Sequence, residues 1–192
     1  GANQIAQTLA NALHGHAALT TTSDTRFGTT LDAPPKGWNL ANPKDHKNFV
    51  AQLLAGKGVQ INGELDWLSV TQLPNDALGP LRITGTLRAI KGSSDHLVYH
   101  PEKLALGIGC ERGVSFEEIR SLVNKTLASA GLSVLSIAGV FSLDIKSDEP
   151  AIQELAEHLN VDVRFFNATT LERQTPRLVT PSEIVFREVG CH

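Results

Sequence analysis

Leu104-Ala105-Leu106-Gly107-Ile108-Gly109-Cys110-Glu111-Arg112-Gly113-Val114-Ser115 carries an apolar strand into a glycine loop and straight on into a helix start. Glycines let backbone N–H groups turn toward a ligand, and the helix behind them adds the positive end of its dipole, so the loop favours anions. Downstream the pattern predicts helix 115–130, strand 134–142, helix 149–159, strand 161–166 and a short helix 168–172, after a first strand at 103–108. Ser115 and Glu118 make a capping box, Ile119, Leu122, Val123 and Leu127 mark a buried face, and Gly131 is the expected stop. Ile152, Leu155, Ala156 and Leu159 repeat the helical spacing, and Thr180-Pro181-Ser182-Glu183 predicts a last helix over 181–188. Repeated β-α-β units have parallel strands and right-handed crossovers, so their strands end on one edge of the sheet, where open α/β sheets bind ligands. The segments 107–115, 144–149 and 166–169 should therefore converge.

Upstream of this unit the signals are shorter. Ile5, Leu9, Ala12 and Leu13 lie on one helical stripe over 3–14, with Gly15 as its stop. His16–Thr21 reads as a short buried strand running into the polar turn Thr22-Ser23-Asp24-Thr25-Arg26, a second place where ligand contacts gather. Asn42-Pro43-Lys44-Asp45 pairs an N-cap residue with Pro at the first helical position, ahead of the apolar face of Phe49, Val50, Leu53 and Leu54. Short strands are predicted at 59–61, 81–83 and 96–98 between Gly, Pro, Asn and Asp clusters. The fold class is α/β: a C-terminal three-layer α/β/α domain with a mainly parallel sheet over 96–192, preceded by a smaller α/β portion over 1–95.

Composition narrows the function classes. With 41% hydrophobic and 19% charged residues in 192, the chain is that of a globular protein, and a net charge of -3 gives no basic footprint for nucleic acid. No apolar run approaches the ~20 residues that span a bilayer, and no signal peptide is evident, so the expected location is the cytoplasm. Cys110 and Cys191 are the only cysteines, which makes neither a disulfide framework nor a zinc pattern. The chain starts Gly1-Ala2-Asn3 and contains no methionine, so it reads as part of a longer translated protein.

Several side chains could carry chemistry. Gly107-Ile108-Gly109-Cys110-Glu111-Arg112 departs from a dinucleotide fingerprint because Arg112 occupies the third glycine position and Gly113 comes one residue late. An anion-accepting loop with Arg112 as counter-charge is the stronger reading, beside nucleotide binding or a tight turn without ligand. Cys110 is either a nucleophile with a thiol acidified by the helix N-terminus and Arg112, or a small residue filling a turn. Asp148 and Glu149 are expected to cap the helix that follows them. Lys146 is a cation at a helix N-terminus, which calls for an anion opposite it, either a ligand carboxylate or Glu111. Glu111 is a candidate general base, or else the partner of Arg112 or Arg120. The seven histidines show no His-Glu-x-x-His spacing, and there is no Gly-x-Ser-x-Gly elbow.

Leu106-Gly107-Ile108-Gly109-Cys110-Glu111-Arg112-Gly113, Ser142-Leu143-Asp144-Ile145-Lys146-Ser147-Asp148-Glu149 and Arg164-Phe165-Phe166-Asn167 with Leu171 together resemble the CbiG family. These are cobalt-precorrin-5A hydrolases of anaerobic cobalamin biosynthesis, whose C-terminal domain is shared with the smaller CobE proteins. The three segments are similar to the family's Gly-Ile-Gly-Cys-Arg-Arg-Gly loop, its Ser-Ile-Asp-x-Lys-x-x-Glu segment and its Phe-Phe before a short helix, with Glu111 standing where an arginine is common. Gly1-Ala2-Asn3-Gln4-Ile5-Ala6 and Thr20-Thr21-Thr22-Ser23-Asp24 resemble the end of the family's N-terminal domain, a segment that CobE proteins lack.

The resemblance implies water attack on the δ-lactone of a cobalt-bearing tetrapyrrole and release of acetaldehyde. Arg112 and Lys146 would hold substrate carboxylates or the oxyanion, and Glu111 or Asp144 would orient the water, giving Glu111, Asp144 and Lys146 as catalytic candidates. Gly107, Gly109, Cys110, Arg112, Gly113, Ser115, Lys146, Asn167, Thr21 and Asp24 form the expected substrate-binding set. Cobalt would arrive inside the substrate, so no separate cofactor and no protein metal ligands are expected. The implied partners are the cobalt-tetrapyrrole intermediate and other cobalamin-pathway enzymes, with neither nucleic acid nor membrane. The alternative is a non-catalytic tetrapyrrole carrier of the CobE type.

Overall fold

A computed structural model of the chain describes residues 2–17 and 26–192. The elements in chain order are α1 (Ala2–Ala12), β1 (Trp38–Leu40), α2 (His46–Leu54), β2 (Val59–Asn62), β3 (Leu81–Gly85), β4 (His96–Pro101), β5 (Leu104–Gly107), α3 (Phe116–Ala130), β6 (Ile137–Leu143), α4 (Pro150–Leu159), β7 (Asp162–Phe166), α5 (Ala168–Glu172) and α6 (Glu183–Val189). They form two compact units that interleave in sequence: Gly1–Pro35, Asn42–Gly85 and Gly92–Val98 make one, while Lys36–Ala41, Thr86–Lys91 and Tyr99–His192 make the other. The expected strand over 16–21 and its polar turn fall largely outside the described residues, as do Thr21 and Asp24.

In the first unit β2 and β3 pair in parallel, Val59 opposite Leu81 and Ile61 opposite Ile83, and Phe49 and Leu53 of α2 are fully buried with them. Asn42 does not cap a helix at Pro43. Its side-chain amide donates to the His96 carbonyl at 3.0 Å and to Asp45 at 2.9 Å, and its oxygen accepts from the Val98 N–H at 3.1 Å, so it ties a turn to β4. The helix consequently starts three residues later, with Asp45 at its N-cap. Gly92 is required here, because a Cβ would lie 2.3 Å from the Asn42 side chain. The stripe of α1 is also not a core face, since Ile5, Leu9 and Leu13 are all exposed.

In the second unit β5, β6 and β7 form a parallel sheet in that order. Two right-handed crossovers stepping the same way across a sheet put both helices on one face. Accordingly α3 and α4 pack side by side, and Ile119, Val123, Val140, Ile152 and Leu155 bury there. Among the described residues the opposite face carries no long helix; the short α5 and α6 follow β7, and a cavity lies between them and the strand ends. Leu122, expected in the core, is 60% exposed, because the face of α3 centres on Ile119, Val123 and Leu127. Ser115 accepts from the Glu118 N–H and Gly131 adopts a left-handed φ of 63°, as the capping pattern requires. β6 starts at Ile137, after a 3₁₀ turn over Val134–Ser136 capped by Ser133.

The same unit contains β1, paired antiparallel with the end of β4, Asn39 opposite His100 and Leu40 opposite Tyr99. His100 is buried, and its Nδ1 lies 2.7 Å from the Thr86 carbonyl oxygen. Burial holds its imidazole below the ordinary value of 6.5, against the pull of that hydrogen bond.

Candidate functional site

The glycine loop leaves β5 still attached to β6. Ile108 N–H donates to the Phe141 carbonyl at 2.8 Å, and the Ser142 hydroxyl donates to the Ile108 carbonyl at 2.7 Å. Its far end is fixed by the turn after β6. Gly113, at a left-handed φ of 76°, donates its N–H to both carboxylate oxygens of Glu149 at 3.2 and 3.3 Å. Glu149 is only 3% exposed and sits at the N-cap of α4, but its side chain makes no bond to that helix, so the expected helix-capping carboxylate is a loop clamp instead.

Arg112 makes a second connection to the same turn. One guanidinium nitrogen lies 2.9 Å from both oxygens of Asp148, and the other donates to the Ile145 carbonyl at 2.7 Å. Both partners of the ion pair are exposed, and Arg112 holds the Asp148 carboxyl below the ordinary carboxylate value. Arg112 is therefore consumed as a brace and its charge is answered within the chain. Arg120 is likewise paired, with Glu117 at 2.6 Å, so neither arginine engages Glu111.

The three carboxyl-edge loops do converge, around a cavity of about 920 Å³. Among the expected site residues, Gly107, Gly109, Cys110, Glu111 and Lys146 line it. Arg112, Gly113, Ser115, Asp144 and Asn167 do not. Ser115 and Asn167 spend their side chains capping α3 and α5, Gly113 faces Glu149, and the backbone carbonyl of Asp144 accepts from Ser147 in a 3₁₀ turn. Lys146 is half-buried and has no ion-pair partner among the described residues, so its charge is available to a ligand.

Burial pushes the Cys110 thiol above its ordinary value of 9.0; Lys146 pulls it down and Glu149 pushes it further up. A thiol held protonated at neutral pH is a wall group and not an activated nucleophile.

Sequence reasoning brought the segment from Phe166 to this edge but did not pick out the remaining walls. Phe141 and Phe166, on neighbouring strands, stack with ring centres 6.2 Å apart, and α6 supplies Ile184, Val185 and Glu188. The chain end returns to the cavity as well: Cys191 is buried, His192 N–H donates to Glu172 at 3.1 Å, and the His192 ring stacks on Phe186. The signal available was the pair Ile184-Val185 on a helix following a sheet whose other face was already covered by α3 and α4.

Residues 104–192 match the family model described as the cobalamin synthesis G C-terminus. This part of the chain is similar to the C-terminal domain of cobalamin synthesis G proteins. It spans β5 to His192 and so contains every wall of the cavity found among the described residues. Over 89 residues the chain is 46% identical to Protein CobE of a Sinorhizobium species, covering 46% of this chain and 58% of that protein. Across its whole length it is 26% identical to a cobalt-precorrin-5A hydrolase of Priestia megaterium, of which it covers 57%. It thus spans less than two thirds of either relative. Among solved structures, a CobE from the cobalamin biosynthetic pathway is similar to 45% of the chain and 64% of its own, at 39% identity and a TM-score of 0.43. Among the described residues of the whole chain no helix is long and apolar enough to cross a membrane, and no group of three or more His, Cys, Asp or Glu could hold a metal ion.

Proposed function

We propose that the part of the chain over 104–192 binds a cobalt-bearing tetrapyrrole in the carboxyl-edge cavity, and that the protein opens the δ-lactone of cobalt-precorrin-5A with release of acetaldehyde. The observation that carries this reading is the placement of Lys146 and Glu111 on the walls of one cavity together with the glycine loop. Water adding to a lactone carbonyl needs a proton acceptor and a stabilised oxyanion. Glu111 accepts the proton from the attacking water, and Lys146 faces the carbonyl oxygen as charge develops there; collapse breaks the lactone C–O bond, and the freed alkoxide becomes the acetaldehyde carbonyl as its C–C bond to the macrocycle breaks and leaves the electron pair on the ring. Asp144, which is outside the lining, takes no part in this scheme. Cobalt belongs to the substrate. The cytoplasm is the proposed location, and the cobalt-tetrapyrrole the proposed partner, along with enzymes that hand it on.

A second reading has its own support. The 46% identity to CobE is confined to the domain that holds the cavity, which suits a protein that binds and delivers a tetrapyrrole without changing it. Incubation of the full chain with cobalt-precorrin-5A separates the two. Acetaldehyde release that falls at least ~100-fold in Glu111→Gln supports the hydrolase; saturable binding without acetaldehyde supports the carrier and overturns the catalytic reading.

A further inference from the structure

The walls of the cavity are not those of a polyanion site. Among the described residues its lining carries one Lys or Arg, Lys146, and two carboxylates, Glu111 and Glu188; Arg112, one loop residue away, is folded onto Asp148. What remains is mainly hydrocarbon and aromatic surface. Phe166 sits at the end of β7 diagonal to Phe141 on β6, and their rings lie within 28° of parallel, forming a nearly continuous aromatic platform. Ile184 and Val185 on α6 are exposed to the same cavity. Apolar side chains left uncovered inside a concave site call for an apolar ligand surface.

We infer that the cavity recognises its tetrapyrrole by one ring face and a single carboxylate. The macrocycle lies on the Phe141–Phe166 platform, one arm reaches Lys146, as the lactone carbonyl before opening and as the carboxylate that opening produces, and the other arms stay in solvent, turned away by Glu111 and Glu188. This rests on the tetrapyrrole reading above but reverses the expectation that a polyacid would be gathered by several cations. It also gives the arginine-to-glutamate exchange at position 111 a physical sense: the loop repels all but the one arm that Lys146 takes.

The test is a fluorescence titration of the full chain with two metal-free probes, the tetracarboxylate coproporphyrin III and the octacarboxylate uroporphyrin III. Coproporphyrin is expected to bind ~10-fold tighter, because only one charged contact is favourable. Lys146→Gln should weaken coproporphyrin ~10-fold and Phe166→Ala ~3- to 10-fold, while Glu111→Gln/Glu188→Gln should narrow the gap by improving uroporphyrin. Thermal midpoints of the exposed-site variants check that they remain folded. Tighter binding of uroporphyrin, or affinity for both probes that falls steeply with salt as in multi-ion contacts, overturns the single-carboxylate mode and leaves the tetrapyrrole reading intact. Binding of neither probe overturns the tetrapyrrole reading itself.

Discussion

The two faces of the β5–β6–β7 sheet are made from alternate residues of the same strands and do opposite work. On one, Val140 of β6 is fully buried against Ile152 and Leu155 of α4. On the other, Phe141 and Phe166 look into a cavity and remain partly open. A period of two in the strand is thus divided between a closed face and an open one. The division teaches that apolar residues one position apart in this chain should answer to different assays.

The largest effect should come from the closed face. Leu155→Ala is expected to cost ~2–5 kcal/mol in urea unfolding, from lost burial and the hole left behind, whereas Phe166→Ala should cost under ~1.5 kcal/mol while weakening ligand binding. Equal stability losses would break the comparison.

Next is the clamp that joins the faces at their edge. Glu149→Ala leaves the Gly113 N–H without its acceptor and should cost ~1–3 kcal/mol as well as ligand affinity; Glu149→Gln keeps an acceptor oxygen and should recover part of both. Unchanged unfolding of Glu149→Ala would show that the loop is held by other contacts.

The pH dependence sharpens the contrast, because different regions respond at opposite ends. The buried His100 imidazole is held below 6.5, so as pH falls below 6.5 the unfolded chain binds more protons and stability is lost until the folded pKa is passed. Cys110 and Cys191 at the cavity are held above 9.0 by burial, so their contribution is present below pH 9.0 and is lost as pH rises through the folded pKa values. Urea midpoints from pH 5 to 10 should fall at both ends; Cys191→Ser should flatten only the alkaline fall, and His100→Gln only the acid one.

The smallest effect is expected from Arg112→Gln. Its ion pair with Asp148 is exposed on both sides, so the thermal midpoint should stay within error of wild type. A large drop would mean that the brace, and not Glu149, fixes the loop.

The second unit was legible in the sequence because its period, caps and glycine stops agree: helices α3 and α4 begin and end within a residue of expectation, and Ser115, Gly131 and Asn167 take the local roles their types favour. The convergence of the three loops followed from parallel strands. What could not be read was how the charges pair. Nothing in the spacing of Arg112 and Asp148 says that they meet across 36 positions, yet that contact removes the expected counter-charge from the cavity. Asn42 hid for the same reason, since a helix-capping signature and a tie to a distant strand use the same side chain. The far wall on α6 depends on a short helix folding back after β7, which local periodicity does not encode.

Filling the cavity tests its role most directly. Val185, on α6, is partly exposed and lines the site without entering the α3–α4 core, so Val185→Trp adds bulk where the ligand should lie. Absorbance titration with cobalt-precorrin-5A is the measurement. Loss of binding with an unchanged thermal midpoint is the expected result, whether the protein hydrolyses or carries its ligand; binding as tight as wild type in the filled variant would contradict the placement of the tetrapyrrole in this cavity.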